Sequence, residues 1–194
     1  MLRFNSRFPQ PSRLTLIKII PSFYANAVNA APITIDQYSF PDPVFRTYVS
    51  ENYDYDNSGT LSDSEIRNVT YLGLNYMGIS NITGVRNFTY LQTLDCEGNS
   101  FSDLNLSNMT SLTTVHCGGG TVSTINVSGC TSLNEFSAWG NAISTANFTG
   151  APNITYIDLN SNRVTSINVT ANTRLETLWL NNNSSLSSLN VNNN

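Results

Sequence analysis

Residues Asp54 to Glu65, DYDNSGTLSDSE, place oxygen donors at the intervals a hard cation requires. With Asp54 as position 1, Asp56 and Ser58 add side-chain oxygens at positions 3 and 5, Gly59 permits the sharp turn at 6, and Thr60 presents its backbone carbonyl at 7. Ser62 at position 9 ligates directly or through a water, and Glu65 at position 12 closes the loop with both carboxylate oxygens. A loop wrapped around a sphere turns alternate residues inward, so the spacing is that of an EF-hand loop and predicts calcium as the cofactor. Leu61 at position 8 is the usual apolar strut. Ser58 stands where the strict pattern has Asp or Asn, which leaves three carboxylates in the shell. The expected affinity is therefore modest, a Kd of about 10⁻⁴ to 10⁻³ M. The competing reading is a cap that keeps the loop's shape and holds no ion.

Two helices are needed to hold such a loop. Asp42 before Pro43 is a helix start, and Val44, Phe45, Tyr48 and Val49 then form an apolar stripe at helical spacing. Ser62 and Glu65 have the spacing of a capping box, so the exiting helix begins inside the loop with Ile66 and Val69 on its buried side. The predicted cap spans residues 39–68, preceded by a linker over 31–38.

Beyond the cap the chain repeats itself. LQTLDCEGN (Leu91 to Asn99) returns as LTTVHCGGG, LNEFSAWGN, ITYIDLNSN and LETLWLNNN, each copy starting 21 residues after the last, and a drifted copy, VTYLGLNYM, begins 22 residues upstream at Val69. A unit of this length is one strand plus a return segment, and neighbours must stack because one unit cannot bury its own apolar face. The predicted fold is a leucine-rich repeat right-handed solenoid, with a parallel β-sheet on the concave face, short or irregular elements on the convex side and the small helical EF-hand-like cap at the N-terminus. Six units are expected, at 69–90, 91–111, 112–132, 133–153, 154–174 and 175–194. Asn99, Asn141, Asn162 and Asn183 recur at the corner after each strand as a structural ladder, broken by Gly120 within Gly118-Gly119-Gly120, where a local weakness or bulge is expected. In the last unit the return series Leu186, Leu189, Val191 slips by one residue.

Side chains alternate along a strand, so the residues between core positions point together out of the concave sheet. Both tryptophans and the single histidine of the chain fall on that face. Glu135, Trp139, Tyr156, Asp158 and Trp179, with His116 nearby, form the predicted ligand-binding patch. Exposed aromatics beside polar groups are the usual anchors of recognition surfaces. The alternative is that Trp139 and Trp179 merely pack on further repeats or on each other.

The segment FPDPVFRTYVSENYDYDNSGTLSDSEI followed by VTYLGLNYMGISNITGV, and then by repeats of the LDCEGNSFSDLNLSNMTSL type, resembles the cell-surface leucine-rich repeat proteins of gut and oral anaerobic bacteria. Its cap-plus-repeat layout is also similar to that of the internalins. The resemblance covers about residues 39–191. It implies an array within a larger exported protein that adheres to a protein or glycan on a host or neighbouring cell surface.

Composition bounds what else the chain can do. Only 11% of the 194 residues are charged, and the net charge is −4. From residue 31 onward five arginines face 13 carboxylates, a net of −8, which disfavours nucleic acid and anionic membrane as partners. No apolar run is long enough to predict a membrane span. Residues 1–30 have the outline of a secretory signal: a basic start, an apolar run from Leu14 to Ile20, and Val28-Asn29-Ala30 before Ala31 as a cleavage site. Lys18 interrupts that run, so a disordered leader or a misplaced start codon are the alternatives to a secreted or cell-surface protein. Cys96 and Cys117 share one repeat position, later filled by Ala138, Leu159 and Leu180. They read as small core residues with free thiols, with a cross-strand disulfide as the lesser alternative. An odd cysteine count without C-x-x-C argues against zinc. A single histidine, no phosphate loop and no convergent carboxylates outside the cation loop argue against catalysis. The chain stops at Asn194, three residues after Val191, from which a gene fragment or truncated product with a marginal last repeat is expected. The predicted function is a non-catalytic exported binding module. The alternatives are a structural spacer in a larger surface protein or, more remotely, part of a secreted enzyme.

Overall fold

A computed structural model describes residues 31–194, so the expected signal segment over 1–30 lies outside the described residues. The cap comes first: strand β1 (Ile33–Thr34), helix α1 (Pro43–Tyr53), strand β2 (Thr60–Leu61) and helix α2 (Asp63–Asn68). There follow β3 (Tyr71–Gly73), β4 (Thr93–Asp95), β5 (Asp103–Asn105), β6 (Thr114–His116), β7 (Thr124–Asn126), β8 (Glu135–Ser137), β9 (Tyr156–Asp158), β10 (Ser166–Asn168), β11 (Thr177–Trp179) and β12 (Ser188–Asn190).

Strands β3, β4, β6, β8, β9 and β11 make one six-stranded parallel sheet in chain order, the concave wall of a leucine-rich repeat solenoid. The central residue of each strand points inward: Leu72, Leu94, Val115, Phe136 and Ile157 are fully buried, and Leu178 of the last strand is partly buried. The convex side carries shorter pairings, β5 with β7 and β10 with β12. Between strands the return segments deliver a second apolar row, including Phe101, Leu104, Val122, Ile143, Phe148, Val164 and Ile167, so one core runs through all the turns. Where the fourth turn has small residues, Ala138 and Ala151, its Phe136 and Phe148 rings fill the space edge-on with centroids 5.3 Å apart. Ile167 pairs with Leu189, 22 residues on, whereas Leu104 pairs with Ile125 at an interval of 21, so the slip read in the last unit is a one-residue insertion.

Asparagines hold the corners, buried at Asn99, Asn162 and Asn183 and partly buried at Asn141. The Asn162 amide donates to Ala138 O of the preceding turn (2.8 Å) and Leu159 O of its own (3.1 Å), while its Oδ1 accepts from Ile143 N (3.0 Å). Asn99, Asn141 and Asn183 repeat the arrangement. One side chain thus satisfies two carbonyls and an amide that a strand of three residues cannot pair. At Gly120 the ladder is missing, and a Cβ there would lie 2.8 Å from Asn99 O.

The cap closes the first turn. The Asp42 carboxylate accepts from Val44 N and Phe45 N (2.9 and 3.0 Å) through one oxygen, capping α1, and from Ser80 N and Oγ (2.8 and 2.9 Å) of the first repeat through the other. Phe40 contacts both Phe45 and Phe88, centroids 5.6 and 6.1 Å away, so the cap and repeat cores are continuous. Tyr53 Oη donates to Tyr71 O on the first concave strand (3.0 Å). Within the stretch that reads as a linker, β1 pairs antiparallel with β2.

Replacing Asn162 with Ala is expected to lower unfolding stability by about 1–3 kcal/mol, because it strands buried backbone groups. Asn181→Ala, two residues before ladder residue Asn183 and exposed, is expected to stay within about 0.5 kcal/mol of the parent. Equal losses in urea titrations of the two variants would remove the ladder from this account.

Candidate functional site

The cation loop of the sequence reading forms a compact set of oxygens. Ligand atoms of Asp54, Asp56 and Glu65 lie within 4.8 Å of one another. Ser58 Oγ donates to Thr60 O (3.1 Å) and lies 3.4 Å from Asp54 Oδ1, which brings positions 1, 5 and 7 together. Ser62 Oγ accepts from Glu65 N (3.3 Å) while Glu65 Oε2 accepts from Ser62 N, the capping box of α2, and Ser62 Oγ also donates to Glu65 Oε2 (2.7 Å). Glu65 ties the loop across its width by accepting from Tyr55 N and Ser62 N, each at 2.8 Å. The Asp54 carboxylate accepts from Ser58 N and Gly59 N, and Gly59 holds a φ of +76° that favours glycine. Burial acts to raise the Glu65 pKa, but donations from Ser62 and Tyr55 outweigh it and hold the carboxyl below its ordinary value. Hydrogen bonds from Ser58 lower that of Asp56. Each carboxylate of the loop keeps at least one lone pair free of these hydrogen bonds, and the donor set is all oxygen, as hard cations prefer.

The pairing of β2 with β1 extends this loop. Thr60 and Leu61, at loop positions 7 and 8, pair with Thr34 and Ile33, and Ile35 N donates to Gly59 O (3.0 Å). Nothing in the short segment ITI announces that contact, since two-residue strands have no period to detect.

On the concave sheet, parallel register sets the side chains in rows. One row runs Gly73, Asp95, His116, Ser137, Asp158, Trp179. Beside it runs Tyr71, Thr93, Thr114, Glu135, Tyr156, Thr177. Glu135, Tyr156, Asp158 and Trp139 thus share one neighbourhood, with His116 at its N-terminal border and Trp179 at its C-terminal one. Trp139 and Trp179 are 41% and 46% exposed.

Trp139 lies back over the preceding turn. A Cβ on Gly118 would fall 2.3 Å from Trp139 Nε1, so the absent side chain makes the bed for the ring. The expected bulge at the glycine triplet is not there: Gly98 N donates to Gly118 O (2.9 Å) and Gly119 N to Trp139 O (2.7 Å), carrying the backbone hydrogen bonds between turns through it. The glycines are accommodated because the indole supplies the bulk they lack.

His116 bridges two carboxylates. Its Nδ1 lies 2.8 Å from Asp95 Oδ1 and its Nε2 3.2 Å from Glu135 Oε1, and Tyr71 Oη donates to Asp95 Oδ2 (2.9 Å). A neutral imidazole has one N–H, so only the imidazolium donates to both partners. Desolvation acts to lower the His116 pKa, and the bonds it donates to Glu135 and Asp95 outweigh it, leaving the pKa raised. Asp95 and Tyr71 lie outside the patch that the sequence predicts. The available signal was that Asp95 stands 21 residues before His116, at the same repeat position and therefore beside it.

All three cysteines are buried and free, with Cys96 and Cys117 at equivalent places in successive turns. Burial pushes both thiols above the ordinary value.

No protein-family model matches the sequence, and no curated protein matches it. Among solved structures, the chain is similar to the functional domain of InlJ from Listeria monocytogenes, which includes a cysteine ladder, with a TM-score of 0.70 at 24% identity over 83% of this chain. It is also similar to internalin C2 of Listeria monocytogenes, with a TM-score of 0.63 at 23% identity over 82% of this chain and 77% of that one. The alignment spans 38% of the InlJ chain. At these identities the likeness establishes an internalin-like leucine-rich repeat fold.

Because the folded pKa of His116 is raised, its stabilising contribution is complete below the unfolded value of about 6.5 and is lost as pH rises through the folded value. The group is 35% exposed, so the contribution is at most about 1 kcal/mol. Urea unfolding between about pH 5.5 and pH 9 is expected to show this loss in the parent and not in His116→Gln. Parallel profiles for the two proteins would mean that the bridge carries no net charge interaction.

Proposed function

We propose that this chain is a non-catalytic binding module of a secreted or cell-surface protein, whose concave face recognises a protein or glycan on a host or neighbouring cell. The observation that carries the reading is the pair of exposed tryptophans on the concave sheet, 41% and 46% accessible, grouped with Glu135, Tyr156, Asp158 and His116. Large aromatics left open beside half-buried polar groups are characteristic of recognition surfaces. A non-catalytic role is supported by the single histidine: both ring nitrogens are taken by carboxylates, which leaves neither to activate a nucleophile. Among the described residues no helix is long and apolar enough to cross a membrane.

The second part of the reading is a calcium-stabilised cap. Asp54, Asp56 and Glu65 would hold the ion with their carboxylates, joined by Ser58 Oγ, the Thr60 carbonyl and Ser62. The closeness of the three carboxylates, within 4.8 Å, supports this, because their mutual repulsion calls for a counter-charge. Bound calcium would supply that charge and rigidify the loop. The cap residues themselves do the rest: Asp42 and Tyr53 transmit the order of the loop to the first turn.

Replacing Trp139 and Trp179 together with Ala is expected to weaken adhesion to host cells or matrix by at least roughly tenfold. Unchanged adhesion by a correctly folded variant would sink the recognition surface. For the cap, about 10 mM calcium relative to chelator is expected to add about 1.4–2.7 kcal/mol of stability at a Kd of about 10⁻³ to 10⁻⁴ M. Asp54→Ala is expected to abolish the gain, and an unmoved thermal midpoint in the parent would withdraw calcium.

A further inference from the structure

The centre of the concave patch is a small residue. Ser137 is flanked along its own strand by Glu135 and Trp139, and in register across the sheet by His116 on one side and Asp158 on the other. Tyr156 is the diagonal neighbour, in register with Glu135. Adjacent strands lie about 4.8 Å apart, so these larger side chains ring a shallow well with the Ser137 hydroxyl in its floor. Its walls are the Glu135 and Asp158 carboxylates, the Trp139 and Tyr156 rings and, on one side, the His116 imidazole, which Asp95 and Glu135 hold.

Charge on the face is one-sided. Asp95, Glu97, Glu135 and Asp158 all project from the concave strands or the residues just after them, and among the described residues no Lys or Arg occupies those positions. The single cation there is the face's own. His116 sits between Asp95 and Glu135, which shows that carboxylates on neighbouring strands can clasp a planar N–H donor from two sides. Glu135 and Asp158 stand on adjacent strands, with Ser137 beside the first along its own strand and in register with the second. Burial raises the Tyr156 pKa, and the negative charges of Asp158 and Glu135 add to it, so both carboxylates act on this one spot. Aromatic faces attract cations, and half-desolvated carboxylates gain more from a guanidinium or ammonium than from neutral hydroxyls.

We propose that the concave face binds a lysine- or arginine-bearing segment of a protein, with one cationic side chain seated over Ser137 between Glu135 and Asp158 and against Trp139 and Tyr156. The proposal rests on the reading of this face as a recognition surface and names the partner's chemistry.

The test is an NMR titration of the full chain, following the Trp139 indole N–H and the Ser137 amide. The probes are an Arg-Gly repeat peptide, its Gln-Gly and Glu-Gly counterparts, and a chitin hexasaccharide. The Arg-Gly peptide is expected to shift both signals, with affinity that falls as salt rises from about 50 mM to about 500 mM. The combined Glu135→Gln and Asp158→Asn substitutions are expected to weaken it roughly tenfold. Ser137→Arg, which would fill the well with the chain's own cation, is expected to abolish the shifts. Unchanged dispersion of the remaining signals verifies the fold of each variant. Equal shifts from the Gln-Gly peptide or the hexasaccharide would overturn the cationic partner while leaving recognition by this face standing. No shift from the Arg-Gly peptide, or shifts indifferent to the Glu135 and Asp158 substitutions, would overturn the proposal as well.

Discussion

The rest of the structure depends on how a turn of about 21 residues satisfies its backbone at a buried corner. A three-residue strand gives a parallel neighbour only a few hydrogen bonds, and the chain must then leave the sheet through the apolar interior. The carbonyls and amides at that point cannot reach water, and an unpaired one costs about 1–3 kcal/mol. An asparagine side chain offers two donors and an acceptor at one place, which is what Asn162 uses to tie Ala138 O, Leu159 O and Ile143 N. Leucine or alanine at the corner would pack and leave those groups stranded. By fixing the corner of one turn to the previous one, the ladder also fixes strand register, and register is what aligns Asp95, His116, Ser137, Asp158 and Trp179 in a row.

The one missing rung shows the same constraint from the other side. Gly120 leaves the corner of the third turn without a side chain, and a Cβ there would press on Asn99 O at 2.8 Å. Two residues earlier Gly118 makes room for the Trp139 ring. The triplet gives up corner bonding and lets the indole lie flat on the sheet without breaking the strand ladder. Local stability is exchanged for an exposed aromatic surface, a common feature of recognition sites.

What the sequence made legible follows from period. Recurrence every 21 residues is enough to place the core, the corner asparagines and the outward positions, because all three depend only on a residue's place within its unit. The loop over Asp54 to Glu65 was legible for a similar reason, its donors being spaced within one short segment. Contacts made once, between segments of unrelated period, were not legible. Asp42 reads as a helix cap and nothing more, yet its second oxygen binds Ser80, 38 residues away. Ile33 and Thr34 read as linker because their partner, β2, lies within the 54–65 loop itself. The His116 bridge stands between these cases: its members lie at predictable outward positions, but which of them touch depends on rotamers that periodicity does not fix.

Those once-only contacts also decide how the cap and the face bear on each other. Tyr53, the last residue of α1, stands directly before Asp54, the first donor of the loop, and its hydroxyl holds Tyr71 O on the first strand. From Tyr71 the hydrogen bonds continue through Asp95 and His116 to Glu135, the rim of the Ser137 well. Contiguity of this kind does not make a switch, which requires an element with two arrangements. It does make a boundary condition. The first strand of a parallel sheet has an unpaired edge, and disorder there would free Tyr71, then Asp95, and so loosen the clasp on His116. A well-ordered loop at residues 54–65 therefore bears on the concave face by limiting fraying at the sheet's first strand, and its effect should decline with each turn toward Trp179.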